Sequence, residues 1–226
     1  MKKIMFNDQY GLTKAVLEGK KTMTRRMVAV PKKLQKATNL QIRMSKDKAC
    51  AYCVDCVLPY SNQTATRVKM PYAVGEEVAI AQPYKNDDVL TYNAYNEDGT
   101  AREDGFQRHK EMLGSNGYRN KMFVKAEYMP HRIRITGIKV ERLQDVREED
   151  AMREGVFKYD KPPLHHEADM FTPWAPYVRP YKWDSDNLIY RCTARYAFAY
   201  LIDKISGGGT WNRNPWVFAY EFELLK

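Results

Sequence analysis

Gly19-Lys20-Lys21-Thr22-Met23-Thr24-Arg25-Arg26 places a glycine directly before a dense cluster of lysine, threonine and arginine side chains. The preceding residues, 7–18, open with Asn and Asp and repeat apolar residues at helical spacing, which is typical of a short helix. Gly19 then predicts the end of that helix, because glycine readily adopts the left-handed conformation found after many helices. Cations that follow at once can bind phosphate, and lysine and threonine side chains can also take part in covalent chemistry.

The residues after Gly19 alternate as they do in an extended strand. Lys21 and Arg25 are then expected on one side of the strand and Thr24 on the other. A bulge or a turn is needed to bring Lys21 next to Thr24. With such contact, a desolvated lysine could accept the proton of a threonine that is a poor nucleophile on its own. The competing interpretation is a solvated surface cation beside an ordinary strand residue.

The composition predicts one globular domain over residues 1–226, since 44% of the residues are hydrophobic and 12% are aromatic. No apolar run approaches the roughly 20 residues of a membrane span, and the N-terminal residues are too poor in apolar side chains for a signal peptide. We therefore expect a cytoplasmic protein with no membrane partner. The net charge of +9 suggests a polyanionic partner such as RNA.

Alternating apolar residues predict strands at 78–81, 122–126, 133–140 and 216–224, and a switch in register at Thr136-Gly137 indicates a bulge. An apolar stripe predicts a helix over 193–205. A shorter helix is predicted over 147–154, with Asp145 as its cap and Gly155 as its stop. Many short strands with few helices indicate an α+β fold with a small curved sheet or barrel.

Three long segments interrupt this pattern and are predicted to be insertions, at about 32–70, 85–120 and 157–190. The first is expected to carry a hairpin, and the second to be a polar surface excursion. The third is rich in aromatic and proline residues. Its interleaved rings and cations could stack nucleic-acid bases, although a small satellite core is the simpler interpretation; they are Tyr177, Arg179, Tyr181, Lys182 and Trp183.

The cysteine and histidine residues give only weak signals for a metal. Cys50, Cys53 and Cys56 form a C-x-x-C-x-x-C run, and with Cys192 they could provide four thiolate ligands for zinc. Zinc ribbons usually pair two C-x-x-C knuckles, however, and the second is missing, so reduced thiols are the simpler interpretation. His165-His166 are adjacent and so are poorly placed to share one ion. We therefore predict neither a metal site nor a cofactor.

The spacing G-x-K-x-x-T-x-R at residues 19–26 resembles the ASCH domain, which belongs to the PUA-like β-barrel superfamily. The order of elements is also similar: a helix before the motif, a Val-Gly-Glu turn into a strand, a long strand, a short acidic helix and a C-terminal strand. Residues 141–146 and 214–218 resemble a longer ASCH group found in phage and prophage genomes. The resemblance implies an α+β fold with a small PUA-like barrel, flanking helices and long insertions.

The resemblance also implies a cleft beside the barrel that binds RNA or a nucleoside. Some compact members are amidohydrolases that remove acetyl from N(4)-acetylcytidine with a Lys, a Thr and a Glu. Carried over to this sequence, these residues are Lys21, Thr24 and Glu154, and Glu148 and Glu149 compete for the third position. The neighbouring motif residues are then expected to bind the ligand; they are Gly19, Lys20, Arg25 and Arg26.

Two functions remain open at this point. In the first, the chain is a binding module whose basic cleft at the motif holds a single-stranded RNA or a modified nucleotide. In the second, it is an amidohydrolase with Thr24 as nucleophile, Lys21 as base and Glu154 as the acid and base for the leaving amine. The compact hydrolases are far shorter than this chain, so the three insertions could roof the cleft or replace it with another surface.

Overall fold

The computed structural model describes residues 1–34, 40–48, 50–55, 66–158, 171–173 and 193–225. The strands in this part of the chain are β1 Lys2–Ile4, β2 Met23–Met27, β3 Leu40–Met44, β4 Ala51–Asp55, β5 Thr66–Val68, β6 Glu77–Ile80, β7 Arg132–Arg142, β8 Val156–Lys158, β9 Phe171–Pro173 and β10 Trp216–Leu225. The α-helices are α1 Leu12–Leu17, α2 Asp87–Ala94, α3 Gly105–Leu113, α4 Glu148–Arg153, α5 Ala194–Ser206 and α6 Thr210–Arg213. None of these helices has the length and apolar character needed to cross a bilayer.

The largest sheet has five strands in the order β1-β6-β7-β10-β2. β1 runs parallel to β6, and the other neighbours are antiparallel, so the sheet is mixed. The long strands β7 and β10 form its centre, and alternating residues of β7 are fully buried. The α+β prediction is confirmed. Within the described residues β1 and β2 form the two edges, and the sheet does not close on itself into a barrel.

The predicted bulge is present between the two central strands. Glu221 of β10 pairs with Gly137 of β7, and the next residue, Phe222, pairs with Ile135, so that Thr136 is the extra residue. An extra residue shifts the alternation by one. This shift keeps Ile135 and Ile138 buried on the same side even though an odd number of positions separates them.

The segment at 32–70 contains the predicted hairpin, formed by β3 and β4, and β5 adds a third antiparallel strand to it. This small sheet packs on the main one, because Ile42 and Val68 are buried in the same core as β7 and β10. The indole Nε1 of Trp216 donates to the main-chain carbonyl of Leu40 at 3.1 Å and ties the two sheets together.

Residues 85–120 form more than a polar excursion. They contain helices α2 and α3, which cover a second buried cluster with members from β6 and the 124–129 segment. The strand predicted at 122–126 is wrong, since the chain there makes 3-10 turns at Lys121–Phe123 and Ala126–Tyr128. The Asn120 carboxamide accepts the main-chain N–H of Met122, which favours the turn, and Val124 and Tyr128 are buried in the second cluster.

The two predicted helices pack against each other next to the motif strand. Helix α5 begins after Thr193, whose hydroxyl accepts the N–H of Tyr196, and its stripe is buried except for the partly buried Ile202 and the exposed Ile205. Helix α4 ends before Gly155, as predicted. Asp145 does not cap α4. Its carboxylate instead accepts the N–H of Arg142 and closes a 3-10 turn at Leu143–Asp145.

Much of the third segment, 157–190, lies outside the described residues, and only the pairing of β8 with β9 belongs to its described part. The aromatic and basic residues from Tyr177 to Trp183 and the pair His165-His166 are therefore outside it, as are Cys56 and Cys192. The described residues include no group of three metal-ligating side chains.

Gly155 is the glycine on which the packing around α4 depends. Its φ is +96°, and a Cβ added there would lie 2.9 Å from Leu12 Cδ2 and 3.4 Å from Lys21 Cδ. We expect Gly155→Ala to lower the free energy of unfolding by about 2–4 kcal/mol, because backbone strain and a steric clash add together. Gly75→Ala is the matched control, since Gly75 has φ +81° with nothing within 4 Å of the added Cβ. Urea denaturation of both variants measures the difference, and equal losses would contradict the role of the contact.

Candidate functional site

The motif lies at an edge of the main sheet. Helix α1 ends at Leu17, Gly19 adopts φ +71°, and a short turn leads into β2, which pairs with β10 on one side only. Gly19 thus has the structural role predicted for it. Lys21 comes just before β2, where its side chain is not bound to the strict alternation of a strand. Among the described residues no hydrogen bond joins the Lys21 ammonium to Thr24, so this position alone does not bring the two side chains together.

The ammonium of Lys21 is buried and fully hydrogen bonded. The residue is 2% exposed, and its Nζ donates to a carboxylate oxygen of Glu154 at 2.9 Å and to the main-chain carbonyls of Glu154 and Met23, each at 2.7 Å. Glu154 is separated from Lys21 by 133 positions in the sequence and is itself 4% exposed. The fold therefore brings together two of the three residues implied by the family resemblance.

Arg25 is held in the same buried network. Its Nη1 donates to Glu154 Oε1 at 3.0 Å, and its Nε and Nη2 donate to Glu141 Oε1 at 2.9 and 2.6 Å. The guanidinium also lies 5.7 Å from the ring centre of Phe198 on α5. Both oxygens of Glu154 are thus engaged, one by Lys21 and one by Arg25. Arg25 holds the Glu154 carboxylate in place, and its guanidinium is not presented to solvent.

Two acidic residues of this network were missed by the sequence reasoning. Glu141 is near the end of β7, and Asp150 on α4 is 4% exposed and lies 3.7 Å from Arg25 Nη2. Asp150 and Glu154 are four positions apart, which places them on one face of a helix. This spacing in the sequence could have predicted that Asp150 belongs to the same site as Glu154. Glu141 left no such signal, since its partner comes from a distant strand.

Burial lowers the pKa of Lys21 below its ordinary value of 10.5, because a charged ammonium loses its hydration. The carboxylate of Glu154 opposes this change, while the nearby charges of Arg26 and Arg25 add to it. The three acceptors around Nζ suit the protonated form. The lowered pKa makes the neutral amine more accessible than in an ordinary lysine.

Thr24 lies on the opposite face of β2 from Arg25 and is 5% exposed. It pairs in register with Tyr220 of β10, so their side chains are neighbours on one face of the sheet. The Nε of Arg26 on that face is buried and has no hydrogen-bond partner in the described part of the chain, and the buried hydroxyl of Tyr220 faces the main-chain N–H of Tyr72. Buried polar groups are rarely left unpaired, so this face is suited to a polar ligand.

The remaining motif cations differ in exposure. Lys20 is exposed and forms an ion pair with Glu18 at 2.8 Å. Arg26 is partly buried, donates through Nη2 to the carbonyl of Met5 at 2.7 Å and lies 5.9 Å from the ring centre of Phe6. Lys21 Nζ lies 5.8 Å from the same ring. Phe6 therefore connects Lys21 with the Arg26 side of the strand.

The competing carboxylates and the thiols are placed elsewhere. Glu148 accepts the main-chain N–H of Arg195 at 3.0 Å, and Glu149 is exposed on α4. Neither contacts Lys21. Cys50 is a free thiol that donates to the Tyr52 hydroxyl at 3.1 Å, and the side chain of Cys53 lies outside the described residues.

No family model, curated protein or solved structure was found to match this chain. The ASCH resemblance therefore depends on the G-x-K-x-x-T-x-R spacing and on the order of elements, and the function is argued from the site itself.

Replacing Glu154 by glutamine tests the buried network. Glu154→Gln keeps the shape of the side chain but leaves Lys21 and Arg25 without this carboxylate and turns an amide donor toward one of them. We expect the free energy of unfolding to fall by about 3–5 kcal/mol. Glu149→Gln, on the exposed side of the same helix, should cost less than about 1 kcal/mol. Similar losses in the two variants, measured by urea denaturation, would contradict a buried network.

The lowered pKa of Lys21 predicts a pH dependence of stability. Between the folded-state pKa and 10.5 the unfolded chain binds a proton that the folded chain has lost, so stability rises with pH through that window. The free energy of unfolding of the wild type minus that of Lys21→Met should therefore increase from pH 7.5 toward pH 10.5, by about 1.4 kcal/mol for each step of one in pH inside that window. The subtraction cancels the tyrosine and cysteine titrations that both proteins share. A difference that decreases over this range would reverse the assigned sign.

Proposed function

We propose that this chain is a PUA-like protein of the ASCH type that hydrolyses the amide bond of an N-acylated nucleoside such as N(4)-acetylcytidine. The observation that carries this proposal is the contact between Lys21 Nζ and Glu154 Oε2, buried and 2.9 Å long, beside the strand that bears Thr24. Lysine, threonine and glutamate are the residue types used by the compact ASCH hydrolases. Here Lys21 and Thr24 come from the segment around β2, and Glu154 comes from the end of α4.

Each of these residues has its own role in the proposed reaction, which requires a movement that brings the Thr24 hydroxyl within reach of Lys21 Nζ. Transfer of a proton from Lys21 to Glu154 converts the ion pair into a neutral amine and a carboxylic acid without moving charge into solvent. The amine can then accept the Thr24 proton as the hydroxyl oxygen bonds to the acyl carbon. The Glu154 acid can donate a proton to the departing amino group when the C–N bond breaks. Water then releases the acyl group from Thr24 as a carboxylic acid.

Arg25 and the buried polar groups beside Thr24 complete the proposed site. Arg25 fixes the second oxygen of Glu154, so the carboxylate keeps one orientation through both proton transfers. Arg26, whose Nε has no partner within the described residues, and the buried hydroxyl of Tyr220, the register partner of Thr24, are suited to hold the polar edge of a base or sugar. Thr24 is only 5% exposed, so turnover requires the side chains over it to open locally.

An RNA-binding cleft formed by the motif itself receives less support from the geometry. Lys21 and Arg25 are 2% and 7% exposed, and carboxylates already engage both of them. Phosphate contacts require cations that can reach the ligand and release counterions. Of the four motif cations, only Lys20 and part of Arg26 reach the surface. RNA as a partner of this chain stays a prediction.

Incubation of the purified protein with N(4)-acetylcytidine, with cytidine and acetate measured by chromatography, tests the proposed reaction. We expect Thr24→Ala and Lys21→Met to lower kcat by about 100-fold or more, since nucleophile and base would each be lost. Thr24→Ser should retain substantial activity because it keeps the hydroxyl. Thr22→Ala is the matched control, since the Thr22 hydroxyl contacts Arg153 and not the proposed site. Turnover by Thr24→Ala at the wild-type rate, or no turnover by a folded wild type across a panel of acylated nucleosides, would refute the proposal.

A further inference from the structure

A basic groove lies on the side of the molecule where β1 meets the end of β5. It consists of two adjoining open cavities of about 400 and 620 Å³, which share Lys2, Lys69 and Tyr72. Arg67 lines the first cavity and Lys3 lines the second. β5 lies in the segment at 32–70 that was predicted to be an insertion, so this groove is built partly from residues outside the motif.

The lining of the groove has one sign of charge. Four of its residues are lysine or arginine, and none of its described residues is Asp or Glu. The chain as a whole has 37 basic and 28 acidic residues, so a mixed lining is what chance would give. Glu76, beside the groove, accepts from Lys2 at 3.0 Å, and Lys3 donates to the carbonyls of Met122 and Val124.

Arg67 and Lys69 are the cations available to a ligand. Both are exposed, and neither makes a hydrogen bond or ion pair within the described part of the chain. They are two positions apart at the end of β5, which sets their Cα atoms roughly 6.6 Å apart along the chain direction. Both residues line the first cavity, so their side chains can contact neighbouring phosphates of one strand.

Tyr72 provides a fixed aromatic surface between these cations. Its hydroxyl donates to the carbonyl of Lys3 at 3.1 Å, and its ring packs edge-on against Tyr220 with centroids 5.4 Å apart. The Lys2 ammonium lies 5.9 Å from the same ring centre. An immobilised ring flanked by accessible cations is the combination by which proteins bind single strands: bases stack on the ring while cations hold the phosphates.

From these observations we propose that the basic groove binds a single-stranded polynucleotide, with Arg67 and Lys69 on its phosphates and a base against Tyr72. The cavities are large enough for one or two nucleotides and too small for a duplex. The proposal goes beyond the amidohydrolase activity and does not require it. Tyr72 does connect the two sites, because it packs on Tyr220, the register partner of Thr24.

Fluorescence anisotropy with labelled 12-nucleotide oligouridylate and oligothymidylate tests the groove. The wild type should bind with an affinity that falls as salt increases, and Arg67→Glu/Lys69→Glu should weaken binding by about tenfold or more and flatten the salt dependence. Lys85→Glu/Arg119→Glu is the matched control, since it changes the charge by the same amount at two exposed positions outside the groove. Tyr72→Leu should weaken binding by about tenfold, and Tyr72→Phe much less, because the phenylalanine ring still stacks.

Equal affinity of the two double variants would overturn the proposal, as would binding to phosphatidylserine vesicles with none to either oligonucleotide. Preference for one oligonucleotide would identify the sugar that the groove accepts and would support the proposal. Binding does not depend on turnover. A protein that binds oligouridylate through Arg67 and Lys69 but releases no cytidine would therefore refute the hydrolase proposal and support the binding groove. A protein that releases cytidine but binds neither oligonucleotide would refute the binding groove and support the hydrolase proposal.

Discussion

The pairing of buried charges around Glu154 is the interaction on which the rest of this structure depends. Lys21 and Arg25 place two cations out of contact with water, and three carboxylates from β7 and α4 surround them. An unpaired charge in such a place would cost several kcal/mol, so each partner can be buried only if the others are also present. The network therefore fixes α4 and β7 against the motif strand and couples the site to the stability of the whole fold.

Local sequence patterns correctly predicted the elements whose structure is determined by interactions between neighbouring residues. Alternation predicted β7 and β10, the shift at Thr136 predicted the bulge, and Gly19 and Gly155 marked the ends of their helices because both adopt positive φ. Helix α5 was recognised from its apolar stripe. In each case the determining interaction lies within a few residues of the pattern.

Predictions from the sequence were wrong or incomplete where packing between distant residues determines the structure. Residues 122–126 alternate like a strand, yet they make turns because Val124 is required in the cluster under α2 and α3. The partners of Arg25 could not be read from its neighbours, since Glu141 lies 116 positions away. From the sequence, only the family resemblance distinguished Glu154 from Glu148 and Glu149 as the site carboxylate. The fold gives the physical reason for this choice, because Glu154 lies at the end of α4 that faces Lys21.

The position of β2 at an edge of the sheet has a consequence for the behaviour of the protein at high concentration. An exposed edge strand offers unpaired main-chain groups to a strand from another molecule and so promotes aggregation. Here the carbonyl of Met23 is already bound by Lys21, and the N–H of Thr22 donates to the carbonyl of Arg153. Lys21, a residue of the proposed site, thus occupies a main-chain acceptor that an intermolecular sheet would need at the start of β2.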